Sequence, residues 1–542
     1  MGKKLLCLIM ALCCVFGLVA CGEDKIAADK AGTDSTLSGG FVAETNDYVY
    51  FINGIESYET EYKDGNVTKG ALLRTKKSNL ANLANATYET VVSKLLVAGD
   101  TDAGFYIFGD YVYYAVSSTE NDKTGTTKKD KLNFFRTKLD ATDTSKNIVD
   151  RDFTNSVTYR YIKSGNGVYL VIHSTDLFVY DAVNGGLLFT TEVNAEDKKY
   201  KKDEEKLNAD KLSKIDVSEV VFAGNNVYVT SNPINQHLSN PDNIQKDAYH
   251  VVYKIDFAGK ELVKIIDGAG TTVIDGDDNY NASGIGVLGV TIDLLRVADG
   301  KLYFSYTSLN TIEGSQPVYM CIPEKDLTNI ATTWHTKAEY VYTETTSNTA
   351  SIFADSSIFY NGKVYYVQAD IGLLVYDNTQ KDEPTTDNGV VVFHSSEVMK
   401  GATLDFVNVE GGVPFLYFHD ASNNYYKFNL NTKEDEFRIN KHAINSAWYK
   451  PEVVKSGDKY YFIAVYSGAD FKSYSYVIDM AKMKADYDAW EADETEDTEG
   501  DFYAVEIDSD EKFDVFAKAN GLLGVAAEKD VNEESTGESE SK

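Results

Sequence analysis

One short hydrophobic phrase is written eight times along this chain, and that repetition limits the fold more than any other feature. Its clearest copy is Asp110-Tyr111-Val112-Tyr113-Tyr114-Ala115-Val116. Asp47-Tyr48-Val49-Tyr50-Phe51 precedes it. Gly167-Val168-Tyr169-Leu170, Asn226-Val227-Tyr228-Val229, Gly300-Lys301-Leu302-Tyr303-Phe304 and Gly362-Lys363-Val364-Tyr365-Tyr366 follow. Pro414-Phe415-Leu416-Tyr417-Phe418 and Asp458-Lys459-Tyr460-Tyr461-Phe462 are looser copies. Aromatic and β-branched residues in this density favour strands. In a strand Val112, Tyr114 and Val116 point one way and Tyr111, Tyr113 and Ala115 the other, and both sets are apolar. A half-solvated strand would alternate apolar with polar. This one must be covered on both faces.

Each copy is followed by a second strand pattern. The eight are Ala71–Thr75, Asn133–Thr137, Leu177–Asp181, Val251–Asp256, Val318–Cys321, Leu373–Asp377, Tyr425–Asn429 and Tyr474–Asp479. Several end in Asp or Asn, which is turn chemistry. From Val49 to Tyr460 the anchors advance in seven steps of about 59 residues each. A four-stranded propeller blade needs about 40 to 50 residues, so the excess is insertions. The expected fold is all-β: a β-propeller of eight blades over residues 41–516, with seven the alternative because the last two copies depart from the pattern.

The pattern resembles the repeats of bacterial extracytoplasmic β-propellers, which read D-x-[IV]-Y-[YF] and then L-[YF]-[RK]-x-[DN], and more distantly the YWTD propellers of animal receptors. The resemblance covers about residues 41–480. It implies architecture and no catalytic residues.

The connection from the first strand to the second is long in repeats one (about Asn53–Gly70), two (Ser117–Lys131), four (Ser231–Ala248) and five (Thr307–Gln316), and short elsewhere, as at His173–Asp176. Equivalent connections leave the same face of a disc in every blade. Function concentrates in long loops on a rigid scaffold. Tyr58 and Tyr62 of the first loop and Asn235, Gln236 and His237 of the fourth are therefore the candidate contacts with a ligand, either a protein or a glycan. Tyr and amide side chains suit both.

The amino terminus speaks to location. Met1-Gly2-Lys3-Lys4 is basic, and Leu5–Leu18 is apolar but too short to span a membrane stably,. The stretch ends in Leu18-Val19-Ala20-Cys21-Gly22. It is similar to the lipobox of bacterial lipoproteins. That likeness implies a signal peptide at 1–20, a diacylglyceryl group carrying acyl chains such as palmitate on the Cys21 thiol, and a chain anchored in the cell membrane on its extracytoplasmic side. Two acyl chains anchor stably where one is marginal. Residues 21–40 read as the lipidated Cys and a flexible tether, and 517–542 as a mostly disordered acidic tail,. Cys321 is the only thiol left in the body of the chain, in an apolar run. It reads as buried and inert.

The net charge is −32, and −34 once Lys3 and Lys4 leave with the leader. Nucleic acid is excluded as a partner, because phosphate binding needs a basic face. No H-E-x-x-H, G-x-S-x-G, Walker A or C-x-x-C occurs,. Gly284-Ile285-Gly286-Val287-Leu288-Gly289 fits a dinucleotide fingerprint only in spelling, since it precedes the strand-like run 290–294 and opens no helix,. Asp275, Asp277 and Asn279 alternate like the start of a calcium loop, but Tyr280 and Gly286 stand where that loop needs Gly and Glu,. A structural calcium ion is the one cofactor this segment suggests, with a plain polar turn as the alternative. Asp479–Glu491 reads as helix, and Asp501–Ile507 as a further strand closing the ring. The function expected is a membrane-anchored binding or scaffolding lipoprotein. The alternatives are a glycan lyase or hydrolase working at the propeller axis and a regulatory sensor.

Overall fold

The computed structural model describes residues 29, 39–53, 63–64, 67–68, 70–93, 104–118, 131–192, 217–231, 234–235, 248–268, 290–308, 317–343, 352–353, 356–377, 390–434, 436–441, 451–467, 473–493 and 499–503. They form an eight-bladed β-propeller. Seven blades are four-stranded antiparallel sheets, and the eighth shows three strands among the described residues. The strands of each blade are called A to D in chain order. Blade 1 is Val42–Glu44, Tyr48–Ile52, Leu72–Lys76 and Glu89–Val92, and blade 8 is Glu452–Ser456, Lys459–Ser467 and Ser473–Asp479. A strands of successive blades touch: Val217–Ala223 meets Val290–Ala298, and Ile358–Tyr360 meets Thr403–Glu410. They therefore ring the axis, with D outermost. The repeated phrase of the sequence is strand B in every blade, and the second pattern is strand C.

The double-sided burial expected of strand B is what holds the ring together. In blade 2, Val112 and Tyr114 belong to the apolar cluster shared with blade 1, whereas Tyr113 and Ala115 belong to the one shared with blade 3. The core is thus a set of layers between blades. Further layers join blades 3 and 4, 4 and 5, 5 and 6, 6 and 7, and 7 and 8. Fully burying an aromatic or branched side chain is worth about 1.5–3 kcal/mol, and the layers repeat that gain around the ring. Buried tyrosine hydroxyls still need partners. Tyr161 of blade 3 donates to the Tyr114 carbonyl of blade 2 at 2.9 Å, and Tyr228 of blade 4 donates to Glu324 of blade 5 at 2.6 Å. Cys321 is 4% exposed in the layer between blades 5 and 6.

Turn chemistry explains the polar punctuation. A and B are joined by tight hairpins with left-handed residues, such as Asn361 (φ 52) and Gly362 (φ 73), the backbone that suits the twist of a two-residue hairpin. The Asp or Asn ending strand C caps the next turn. Asp181 Oδ1 accepts from the Val183 and Asn184 N–H groups, and Asn429 Oδ1 accepts from those of Asn431 and Thr432.

The ring closes where blade 8 packs on blade 1. Val454, Tyr461 and Ile463 join the blade 1 cluster, Ser475 Oγ donates to the Ile52 carbonyl, and Ser456 Oγ donates to that of Lys77. The helix expected after blade 8 is present as α1, Met480–Glu491, capped by Asp479, which accepts from the Lys482 N–H. The strand expected at Asp501–Ile507 is corrected over its described part: Glu499–Tyr503 forms a short helix, α2. Phe502 and Tyr503 are both buried, against Tyr487 and Trp490 of α1. A helix can turn two adjacent side chains into one cluster, whereas a strand sends them to opposite faces.

Candidate functional site

Strand polarity sorts every connection onto one of two faces. A–B hairpins and C–D connections lie on one, here the turn face. B–C loops and the D–A passages between blades lie on the other, here the open face. The four long B–C connections leave by the open face, as expected. The sequence did not reveal that the long D–A passages join them there: residues 93–104, 191–216, 268–289 and 344–357 each lead from a D strand to the next A strand. Strand A carries no repeated phrase of its own, so the passages could not be located before the strands were paired.

The two candidate sets of blade 4 leave this face from adjacent feet. Asn235 sits in a two-stranded ribbon that extends the B–C hairpin, where Ile234 pairs with Tyr249 and Asn235 with Ala248. The ribbon runs into His250. The passage bearing Asp275, Asp277 and Asn279 starts after Gly268 and ends before Val290. These three points are clasped together. Gly268 N–H donates to the His250 carbonyl at 3.0 Å, Val290 N–H to the Gly268 carbonyl at 2.9 Å, and His250 N–H to the Val290 carbonyl at 3.1 Å. The imidazole adds a contact, its Nδ1 lying 2.8 Å from the Ile292 carbonyl oxygen and 3.1 Å from the Ile292 nitrogen. Only glycine fits at 268, since a Cβ there would lie 2.5 Å from the His250 oxygen and 2.7 Å from that of Val290.

Cys21, Tyr58, Tyr62, Gln236, His237, Asp275, Asp277 and Asn279 lie outside the described residues, as do Gly284–Gly289 and all of 504–542, the acidic tail 517–542 included. Of Asn235 the backbone is described. Among the described residues no group of three His, Cys, Asp or Glu side chains has the arrangement of a metal site.

Charged groups also meet on the inner strands. Glu219 of blade 4 has its carboxyl held above the ordinary value of 4.5, chiefly by burial and further by the charge of Asp293 on blade 5, against the opposing Leu294 N–H. Arg160 of blade 3 stacks on Phe222 of blade 4 at 5.0 Å, and Arg296 of blade 5 stacks on Phe359 of blade 6 at 4.8 Å. Composition gave no hint of the Glu219–Asp293 pairing, because the two acids are 74 positions apart (293 − 219).

A cleft of about 630 Å³ lies on the turn face at the seam of blades 8 and 1. Asp29, Glu44, Asp47, Lys76, Lys77 and Lys455 line it. Lys77 pairs with Glu44 at 2.6 Å.

No family model and no curated protein matches the chain. Several solved structures are similar to it in architecture. BamB from Moraxella catarrhalis is 10% identical with a TM-score of 0.34, covering 84% of this chain and 97% of BamB. The computationally designed Ika8 protein is 8% identical with a TM-score of 0.31, over 67% of this chain and 80% of its own. A mutant of Trypanosoma rangeli sialidase displaying trans-sialidase activity is 11% identical with a TM-score of 0.26, over 69% and 59%. At these TM-scores the likeness carries no argument, and the ring rests on the strand pairing above.

Proposed function

We propose that this protein is a lipid-anchored, extracytoplasmic binding module that recognises a protein or a glycan through the open face of its propeller. The observation that carries the proposal is the His250–Gly268–Val290 clasp. It brings two long insertions, one with Asn235, Gln236 and His237 and one with Asp275, Asp277 and Asn279, out through a single sector between blades 4 and 5. Rigid feet under loops that carry Asn, Gln, His and Asp side chains suit recognition, because ordering the scaffold in advance lowers the entropy lost on binding. The anchor is the lipid on Cys21.

Crosslinking on intact cells tests the binding role. Replacing residues 236–247 with a short Gly-containing turn should abolish capture of the partner while the circular dichroism stays that of the parent. Undiminished capture by the shortened protein would sink the assignment to this sector. For the anchor, Cys21→Ser should move the protein from the membrane fraction to the soluble fraction, and retention on the membrane would refute lipidation there.

A second reading draws on Glu219. A carboxyl whose titration is shifted upward by burial and by a neighbouring acid is a feature that general acid catalysis of glycan cleavage uses. It requires turnover of a glycan that Glu219→Gln and Asp293→Asn each reduce at least a hundredfold. A turnover unchanged by both substitutions would remove these residues from any catalytic role.

A further inference from the structure

The propeller has two unlike faces, and a lipid at the amino terminus could hold either one toward the bilayer. One residue of the segment leading into the ring decides between them. The Asp29 carboxylate accepts from Thr45 Oγ1 at 2.9 Å and from the Tyr50 hydroxyl at 2.6 Å. Tyr50 in turn accepts from Arg74 Nη1 at 3.1 Å, and Arg74 is fully buried, bonded to Glu89 at 2.7 Å and to the Leu139 carbonyl at 3.2 Å. The phenol of Tyr50 is pushed far above its usual range, first by burial and then by its hydrogen bond to Asp29. It therefore stays a hydroxyl, able to donate to the carboxylate.

Thr45 opens the A–B hairpin of blade 1, and Asp29 lines the cleft that includes Asp47 of that hairpin and Gly457 of the blade 8 hairpin. Asp29 is thus fastened on the turn face. By Gly40 and Phe41 the chain is on the opposite face. Phe105, the first residue of blade 2 strand A, donates its N–H to the Gly40 carbonyl, and Ile52 at the end of blade 1 strand B donates to that of Phe41.

Only eight residue steps separate Cys21 from Asp29 (29 − 21). A fully extended chain covers at most about 3.3–3.6 Å per residue, so the lipid attachment point lies within about 28 Å of the turn face. We infer that the Asp29 latch holds the turn face toward the bilayer and turns the open face, with its long loops, away from it. The open face is then the one offered to partners outside the membrane, and the blade 8–blade 1 cleft with its three lysines is the part of the ring nearest the lipid head groups. The membrane consequence rests on the lipidation of Cys21 proposed above, whereas the latch itself does not.

The latch is tested on the mature chain from Cys21 onward, made without export so that its thiol stays free; every described residue lies within it. Spin labels go on Cys21 and on one engineered cysteine of blade 3, either Asn166→Cys in the exposed A–B hairpin or Thr175→Cys in the exposed B–C turn. Cys321 is buried and does not label under native conditions. The two sites are separated by strand Gly167–His173, a rise of about 20 Å,. Electron–electron distance measurements should place Cys21 nearer to position 166 than to 175 by about 10 Å or more. Equal distances, or a shorter distance to 175, would overturn the inference. Asp29→Ala should broaden both distributions and erase the difference, and a difference that survives that substitution would show that the latch does not set the orientation. Because these distances are read on an unlipidated thiol, a failed latch is distinguishable from a failed anchor, which the Cys21→Ser fractionation reports.

Discussion

Both faces of the disc carry insertions, and these differ in whether apolar residues tie them into the ring. On the turn face the described C–D connections are folded into the ring. Residues 77–88 bury Leu80 and Leu83, residues 139–152 bury Leu139, Ile148 and Val149, and residues 324–338 bury Leu327, Ile330 and Trp334. The Trp334 indole N–H reaches across to the Asp267 carbonyl of blade 4 at 3.1 Å. On the open face the passage 344–357 likewise buries Ile352, whereas residues 119–130 contain no apolar residue at all. An insertion with apolar anchors can earn back the entropy of ordering its backbone, and one without them cannot. The difference teaches which insertions are scaffold and which are free to be used.

Three measurements would break or sharpen that contrast. The largest effect belongs to Trp334→Ala, which empties a fully buried indole site and cuts the tie to blade 4. It should cost about 3–5 kcal/mol in urea denaturation. A loss below 1 kcal/mol would mean that the turn-face insertion is not part of the core. Replacing residues 119–130 with a short turn should change stability by about 1 kcal/mol or less, since loop closure depends only weakly on length. Unfolding of that variant would erase the distinction between insertions with and without apolar anchors. The smallest effect is at the inner strands. Glu219 titrates above 4.5 when folded, so the folded state binds its proton more readily than the unfolded state does. Its contribution to stability is complete below 4.5, fades as pH rises through the folded value, and is a cost at neutral pH. Glu219→Gln should therefore raise the melting temperature by about 1–2 °C at pH 7 and leave it unchanged at pH 4. A rise of equal size at both pH values would point to packing as the cause.

The parts legible in the sequence were those set by local pattern. Strand B was legible because both of its faces are apolar, as Val112/Tyr114 and Tyr113/Ala115 show by facing different blades. Strand C was legible through its terminal Asp or Asn, which caps a turn within a few residues. The segment from Asp501 misled because Phe502 and Tyr503 have strand-like propensity, while the aromatic cluster of α1 made a helical turn the better way to bury both. The A strands were not legible as units, since inner strands such as Thr158–Ser164 and Val290–Ala298 mix charged and apolar residues without a shared phrase.

The sequence alone determined that this chain is a ring of β-blades and that four of its B–C loops are long, because periodicity and turn residues act over a few positions and need no partner to be read. Tertiary structure decided everything that depends on distant residues meeting. It set which blade-to-blade passages share a face with those loops. It clasped His250, Gly268 and Val290 under two insertions that are separate in sequence, and it placed Glu219 near Asp293. It also fastened Asp29 to Thr45 and Tyr50 on the turn face. These are matters of closure: a propeller brings the ends of its chain and the feet of its loops together only once the last blade has packed against the first.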